Sequence, residues 1–176
     1  FDESLHAELV AMFEADQQER TGEGLEPGTK LPPSRDYTRA QRLKEIVAEH
    51  GWPTWSLVGE DGGTAAWVVA QHADFDPEFQ SQMLELMRAA VDDGEADPIE
   101  LAYLEDRVLV NTGQPQRWGT QVRCRDGVPA PATPIVDEST IDHRRTEIGL
   151  DTLAAYYDEL AMMCADEAAE GHGPDG

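Results

Sequence analysis

The stretch Thr64-Ala65-Ala66-Trp67-Val68-Val69-Ala70-Gln71-His72 decides the fold. At about 100° per residue its Ala, Trp and Val side chains cover every direction, and a helix that is apolar all round belongs in the middle of a core. Such a segment needs amphipathic helices to cover it. The sequence supplies them on both sides.

Upstream, Leu5, Leu9, Met12 and Phe13 recur at helical spacing, and the pattern ends at Thr21-Gly22-Glu23-Gly24. Leu25 to Ser34, with Pro27, Pro32 and Pro33, reads as a connector. A second helix is predicted from about Asp36 to His50, with Ala40, Leu43, Ile46 and Val47 on one face and Arg35, Arg39 and Arg42 on a solvated one. Downstream, Asp76-Pro77 is an N-cap with proline at the first helical position, and Phe79, Met83, Leu86, Met87 and Ala90 form the buried face. Gly94 ends that helix. Asp97-Pro98-Ile99-Glu100 opens the next, which closes at Gly113.

Beyond Gly113 the period changes. Thr120 to Arg125 alternate, and Asp126-Gly127 is a hairpin-turn signal, although a second arm carrying Pro129, Pro131 and Pro134 is confined to a ragged edge. Ser139 to Glu147 suggests a short helix. A last helix from about Asp151 would bury Leu153, Tyr157, Leu160 and Cys164. The expected architecture is mainly α: a bundle of five or six helices around the central segment 64–72, with one small β-hairpin near 119–135. A single domain is expected over 1–165, followed by an acidic, disordered tail over 166–176.

The charge excludes whole classes of partner. With 36 acidic residues against 13 basic ones, the formal charge of -23 repels nucleic acid and anionic membrane surfaces. The longest apolar run, Ala65 to Ala70, is far short of the roughly 20 residues that a membrane-spanning helix needs. The stretch after Phe1 lacks the basic and apolar regions of a secretory signal, so a cytoplasmic location is expected. Cys124 and Cys164 fit neither a disulfide framework nor a paired zinc pattern, and are expected as free, buried thiols.

A few polar residues stand where packing alone would not place them. His72 leaves the core at the end of the apolar helix, with Gln71 on the adjacent face. Asp74 can meet His72 only if the chain turns at Ala73, in which case its carboxylate would fix the imidazole tautomer as a general base requires. The alternative is a satisfied core histidine with Asp74 as a turn residue. Asp106 lies on a half-buried stripe with Tyr103 and needs a partner: Tyr103, an arginine, His72, or a loop backbone. Arg107 is at the edge of that stripe. Arg117, Arg123 and Arg125, interleaved with Gln114, Gln116 and Gln121, could hold an anionic group or simply answer the acidic surface. His72, Asp74 and Asp106 make a weak His-carboxylate metal set, since His6, His50, His143 and His172 are each isolated.

The strings Gly51-Trp52-Pro53, Ser56-Leu57-Val58-Gly59, Gln71-His72-Ala73-Asp74, Ala102-Tyr103-Leu104-x-Asp106-Arg107 and Gln116-x-Trp118-Gly119-Thr120-Gln121 together resemble an uncharacterised family of small bacterial proteins. The resemblance runs from about Arg39 to Tyr157 and implies a shared fold and pocket, with no assigned activity. Where that family more usually has tyrosine, this chain has Trp118.

Two classes of function remain. One is a metal-free, cofactor-free enzyme of hydrolysis, elimination or isomerisation, with His72, Asp74 and Asp106 catalytic. Gln71, Tyr103, Arg107, Trp118, Thr120, Gln121 and Trp52 would bind a polar or anionic small molecule in one cavity. The other is a non-catalytic binding, immunity or interaction domain whose polar network is structural.

Overall fold

The fold is described from a computed structural model, in which residues 1–22 and 34–171 are described. Among these there are seven α-helices and one two-stranded antiparallel sheet: α1 (Glu3–Thr21), α2 (Ser34–His50), α3 (Trp55–Gln71), α4 (Pro77–Asp92), α5 (Pro98–Asn111), β1 (Val122–Arg125), β2 (Val128–Pro131), α6 (Ile141–Glu147) and α7 (Leu153–Glu170). The predicted connector from Leu25 lies outside the described residues. The chain divides into two compact units, Phe1–Leu104 and Glu105–Gly176, with the division falling inside α5.

In the first unit α3 is the central element and packs against α1, α2 and α4. Val58, Ala65, Ala66 and Ala70 are fully buried, as are Leu9 of α1 and Leu43 of α2. The helix starts well before the predicted Thr64, because the glycines that mask its beginning in the sequence serve its geometry. Gly59 breaks the helix with φ 76 and ψ 170, a conformation essentially confined to glycine. A Cβ on Gly62 would then sit 2.8 Å from Cβ of Val58, closer than two side chains can approach.

Helix ends follow local chemistry. Asp2 caps α1 by accepting from the amides of Ser4 and Leu5, and Asp76 caps α4 by accepting from Phe79. Lys44 of α2 reaches the same Asp76 carboxylate at 2.7 Å. The arginine face of α2 is not simply solvated. Arg35 and Arg39 pair with Glu19, and Arg42 pairs with Glu8, so the stripe lines the junction with α1.

In the second unit Asp126 and Gly127 both take positive φ, 51 and 78, as a two-residue hairpin turn requires. Pro129 and Pro131 pair with Cys124 and Val122. They alternate with Ala130 and with Ala132, whose N–H donates to Gln121 O, and so occupy the register positions that do not require a ladder donor. Ile135, Ile141 and Leu153, with Tyr157 against them, form the unit's core. Gly119 (φ 68) lies so close to it that a Cβ would stand 2.9 Å from Ile135 Cδ1. Helix α7 takes in Asp166 to Glu170, which the sequence reading assigned to the tail; residues 172–176 lie outside the described ones. No helix of the described residues is long and apolar enough to cross a membrane.

The cysteines correct an expectation. Cys124 of β1 and Cys164 of α7 form a disulfide, with no free thiol in the chain. Forty positions in sequence conceal the fact that the hairpin packs on α7, with Cα atoms 5.2 Å apart. Closing a loop of that length should contribute about 2–4 kcal/mol. Cys124→Ser with Cys164→Ser is therefore expected to lower the unfolding free energy by about that amount. Thiol titration of the unreduced, denatured wild type should find no reactive thiol.

Candidate functional site

The residues with chemistry in the first unit meet at the C-terminal end of α3. His72 ends that helix, its N–H donating to Val68 O, and its side chain turns toward α1. Nδ1 lies 3.0 Å from Oδ1 of Asp16, a carboxylate only 1% exposed, while the imidazole is partly exposed. For His72 the sequence offers Asp74 either as an orienting carboxylate or only as a turn residue. The structure pairs His72 with Asp16, and Asp74 instead accepts a hydrogen bond from Gln80 Nε2 at 3.3 Å. Gln80 is fully buried and also donates to the carbonyls of Ala70 and Gln71 in the last turn of α3. The turn after His72 is thus held by Gln80, and Asp74 belongs to that turn.

Asp16 is well supplied with donors. Arg20 Nε approaches its two oxygens at 3.2 and 3.1 Å, Gln17 Nε2 donates at 3.0 Å, and Arg39 stands 3.6 Å away. Burial acts to raise the Asp16 carboxyl, but hydrogen bonds from His72 and Arg20 outweigh it and hold it down at about 2. Asp36 accepts from both Arg20 and Arg39. Asp16, Asp36 and His72 offer ligand atoms within 4.8 Å of one another, a set that could hold a metal ion. Such an ion would compete with the two arginines already neutralising these carboxylates. Chemically, the arrangement is a histidine whose Nδ1 faces a carboxylate held low by its donors, an acceptor-only partner that favours the proton on Nδ1 and leaves Nε2 directed away from it.

On another face of α3, Gln71 donates to Tyr103 O at 3.4 Å, Trp67 meets the Tyr103 ring edge-on at 6.3 Å, and Thr64 donates to Glu100 at 2.6 Å. Trp67 Nε1, Gln71 Oε1 and Trp52 Nε1 are buried with no hydrogen-bond partner among the described residues. Glu100 was missed in the sequence, where it read as a helix-start acid. Burial, with the charge of Asp97 acting the same way against the Thr64 bond, pushes its carboxyl up to about 7.

The second unit gathers Asp106, Arg107, Trp118, Thr120 and Gln121. Asp106 is fully buried, and its partners are in the loop after α5. It accepts from the amides of Arg117 (2.8 Å), Trp118 (3.1 Å) and Thr120 (2.9 Å), and from the Thr120 hydroxyl (2.9 Å). Burial pushes its carboxyl up against those four hydrogen bonds. Arg107 donates to Gln121 Oε1 at 3.1 Å, and Trp118 Nε1 donates to Glu105 at 2.7 Å. The same loop is held by Gln116, which donates to Gln121 O, by buried Arg145, which donates to Trp118 O, and by Tyr156, whose hydroxyl donates to Thr120 O. The string Gln116 to Gln121 is therefore a backbone conformation held from several sides. Arg123 and Arg125 point outward from β1.

A family described as a family of unknown function (DUF6624) matches residues 3–163, and the chain belongs to that family. No curated protein and no solved structure matches the chain.

Two substitutions report on the buried acids. Asp106→Asn replaces an acceptor-only group by one that must aim an NH2 at backbone N–H, and is expected to lower stability by about 2–4 kcal/mol. Denaturant unfolding with an unchanged slope would show it. For Glu100 the ordinary value is 4.5 and the folded value about 7, so the folded chain keeps a proton that the unfolded chain releases between them. Stability attributable to this group falls as pH rises from 4.5 to about 7 and is level above. Glu100→Gln should flatten that segment and raise stability at pH 8 by about 1–2 kcal/mol, after allowance for partial exposure. Urea melts at pH 5 and pH 8 measure it.

Proposed function

We propose that this protein is an acid–base catalyst acting on a polar small molecule, with His72 as the proton-transferring group and Asp16 as the residue that positions it. The observation that carries the reading is the 3.0 Å contact between His72 Nδ1 and a buried, ionised Asp16. A carboxylate on Nδ1 holds that proton and leaves Nε2 to take or give one, the division of labour found wherever histidine serves as a general base. Nε2 of His72 has no partner among the described residues, and the ring is part-exposed, so a substrate can reach it. Hydrolysis, elimination and isomerisation are the reactions such a pair can run alone. Asp106, with its oxygens committed to a loop of the second unit, is structural in this reading.

A second reading is favoured by one feature of the same cluster. Arg20 and Arg39 tie Asp16 to Asp36, which joins α1 to α2, and His72 adds the end of α3, whether or not chemistry occurs there. In that reading the protein is a non-catalytic binding domain and the network fixes its fold.

For location, the Cys124–Cys164 bridge favours an oxidising compartment over the cytoplasm that the sequence suggested. The charge of -23 weighs against nucleic acid and anionic lipid as partners.

Purified protein assayed on activated esters, on β-substituted acids for elimination, and for α-proton exchange in D2O tests the proposal. His72→Gln should reduce any turnover by about 10²–10⁴-fold while the melting temperature stays within a few degrees. Asp16→Asn should reduce it through kcat more than KM. Turnover that survives His72→Gln, or none on any substrate class, would favour the second reading.

A further inference from the structure

The second unit contains a groove of about 390 Å³ that the His72 reading does not use. Leu109, Pro115 and Val136 give it apolar walls, and four charged side chains line it: Glu105, Arg117, Asp137 and Arg144. They are not equivalent. Arg144 is consumed by the structure, since its three nitrogens donate to the carbonyls of Arg117, Val136 and Asp137 and to the Thr140 hydroxyl. Glu105 accepts from the Trp118 indole at 2.7 Å.

Arg117 is held loosely. Its guanidinium lies over the Trp118 ring at 5.0 Å and no closer than 3.8 Å to Glu105, and its side chain is 54% exposed. The Asp137 carboxylate takes no hydrogen bond or ion pair from any described residue. The backbone holds Asp137 at φ 45 and ψ 56, a left-handed conformation that a non-glycine residue seldom adopts, with its carbonyl accepting from Thr140 and Arg144. One cation and one anion are thus left able to bind, across a groove whose lining charges cancel.

That balance selects the ligand. A simple anion reaching Arg117 would enter a chain of charge -23, and a simple cation reaching Asp137 would meet two arginines. A molecule carrying both charges and an apolar side chain satisfies both and fills the walls. We propose that this groove binds a free α-amino acid with an apolar side chain. Its carboxylate lies on Arg117, its ammonium on Asp137, and its side chain against Leu109, Pro115 and Val136. A groove of this volume accommodates such a molecule.

The test follows the Trp118 indole N–H in ¹⁵N spectra, identified as the signal missing from Trp118→Phe, while the protein is titrated with L-leucine. A saturable shift is expected, with at least tenfold weaker binding for N-acetyl-L-leucine, which lacks the ammonium, and for L-leucinamide, which lacks the carboxylate. Arg117→Gln and Asp137→Asn should each weaken leucine at least tenfold with an unchanged melting temperature. Asparagine tolerates the left-handed backbone, so the second variant separates binding from folding. His72→Gln should leave the titration unaltered, so this proposal stands or falls apart from the acid–base reading. Equal binding of N-acetyl-L-leucine would make the groove an anion site, and equal binding of L-leucinamide a cation site. Either result, binding indifferent to both variants, or no saturable shift would overturn the proposal.

Discussion

A buried carboxylate that must stay charged organises the first unit. Asp16 lies toward the C-terminal end of α1 at 1% exposure, where an unpaired ion would cost several kcal/mol or more. The chain meets that constraint with donors from three helices: Arg20 and Gln17 of α1, Arg39 of α2, and His72 at the end of α3. Placing the imidazole there requires α3 to end at its position, and Gln80 secures that ending by capping the last carbonyls. The break at Gly59 lies at the other end of the same helix, whose bare Gly62 lets Val58 close on it. The polar cluster and the apolar packing are therefore two consequences of one helix placement.

The second unit applies the same physics to a different end. Asp106 is also buried and also surrounded by donors, but these are three backbone amides and one hydroxyl of a loop, and their number matches the acceptor capacity of two oxygens. Such a carboxylate sets a backbone shape and has little left to offer a substrate. The contrast with Asp16 is chemical. One aspartate accepts from a titratable, part-exposed ring; the other commits its bonds to three backbone amides and one hydroxyl of a single loop.

Much of the fold was legible because its signals are local. Asp76-Pro77 and Asp97-Pro98 start α4 and α5, and Asp126-Gly127 turns the hairpin, since each depends on backbone conformations that few residues favour. The candidate site was legible in half. His72 stood out as a polar group on an apolar segment, and Asp106 as an acid on a buried stripe. Asp16 did not, because one acid among 36 on an acidic helix carries no mark until α3 lies against it. Glu100 was hidden in the same way behind a helix-start role. The beginning of α3 was obscured by glycines whose function is close approach, and the disulfide joins residues whose proximity depends on how the hairpin packs on α7. What sequence missed were pairings between distant segments, which local pattern does not encode.

The tautomer of His72 tests the central claim most directly. Long-range ¹H–¹⁵N spectra of the neutral ring distinguish a protonated Nδ1 from a protonated Nε2. If Asp16 fixes the ring, wild-type protein will show the proton on Nδ1 and a bare Nε2, and Asp16→Asn will shift the population toward the other form. A proton on Nε2 in the wild type, or a mixture indifferent to Asp16→Asn, would contradict the account, because His72 would then lack the orientation on which its proposed role depends.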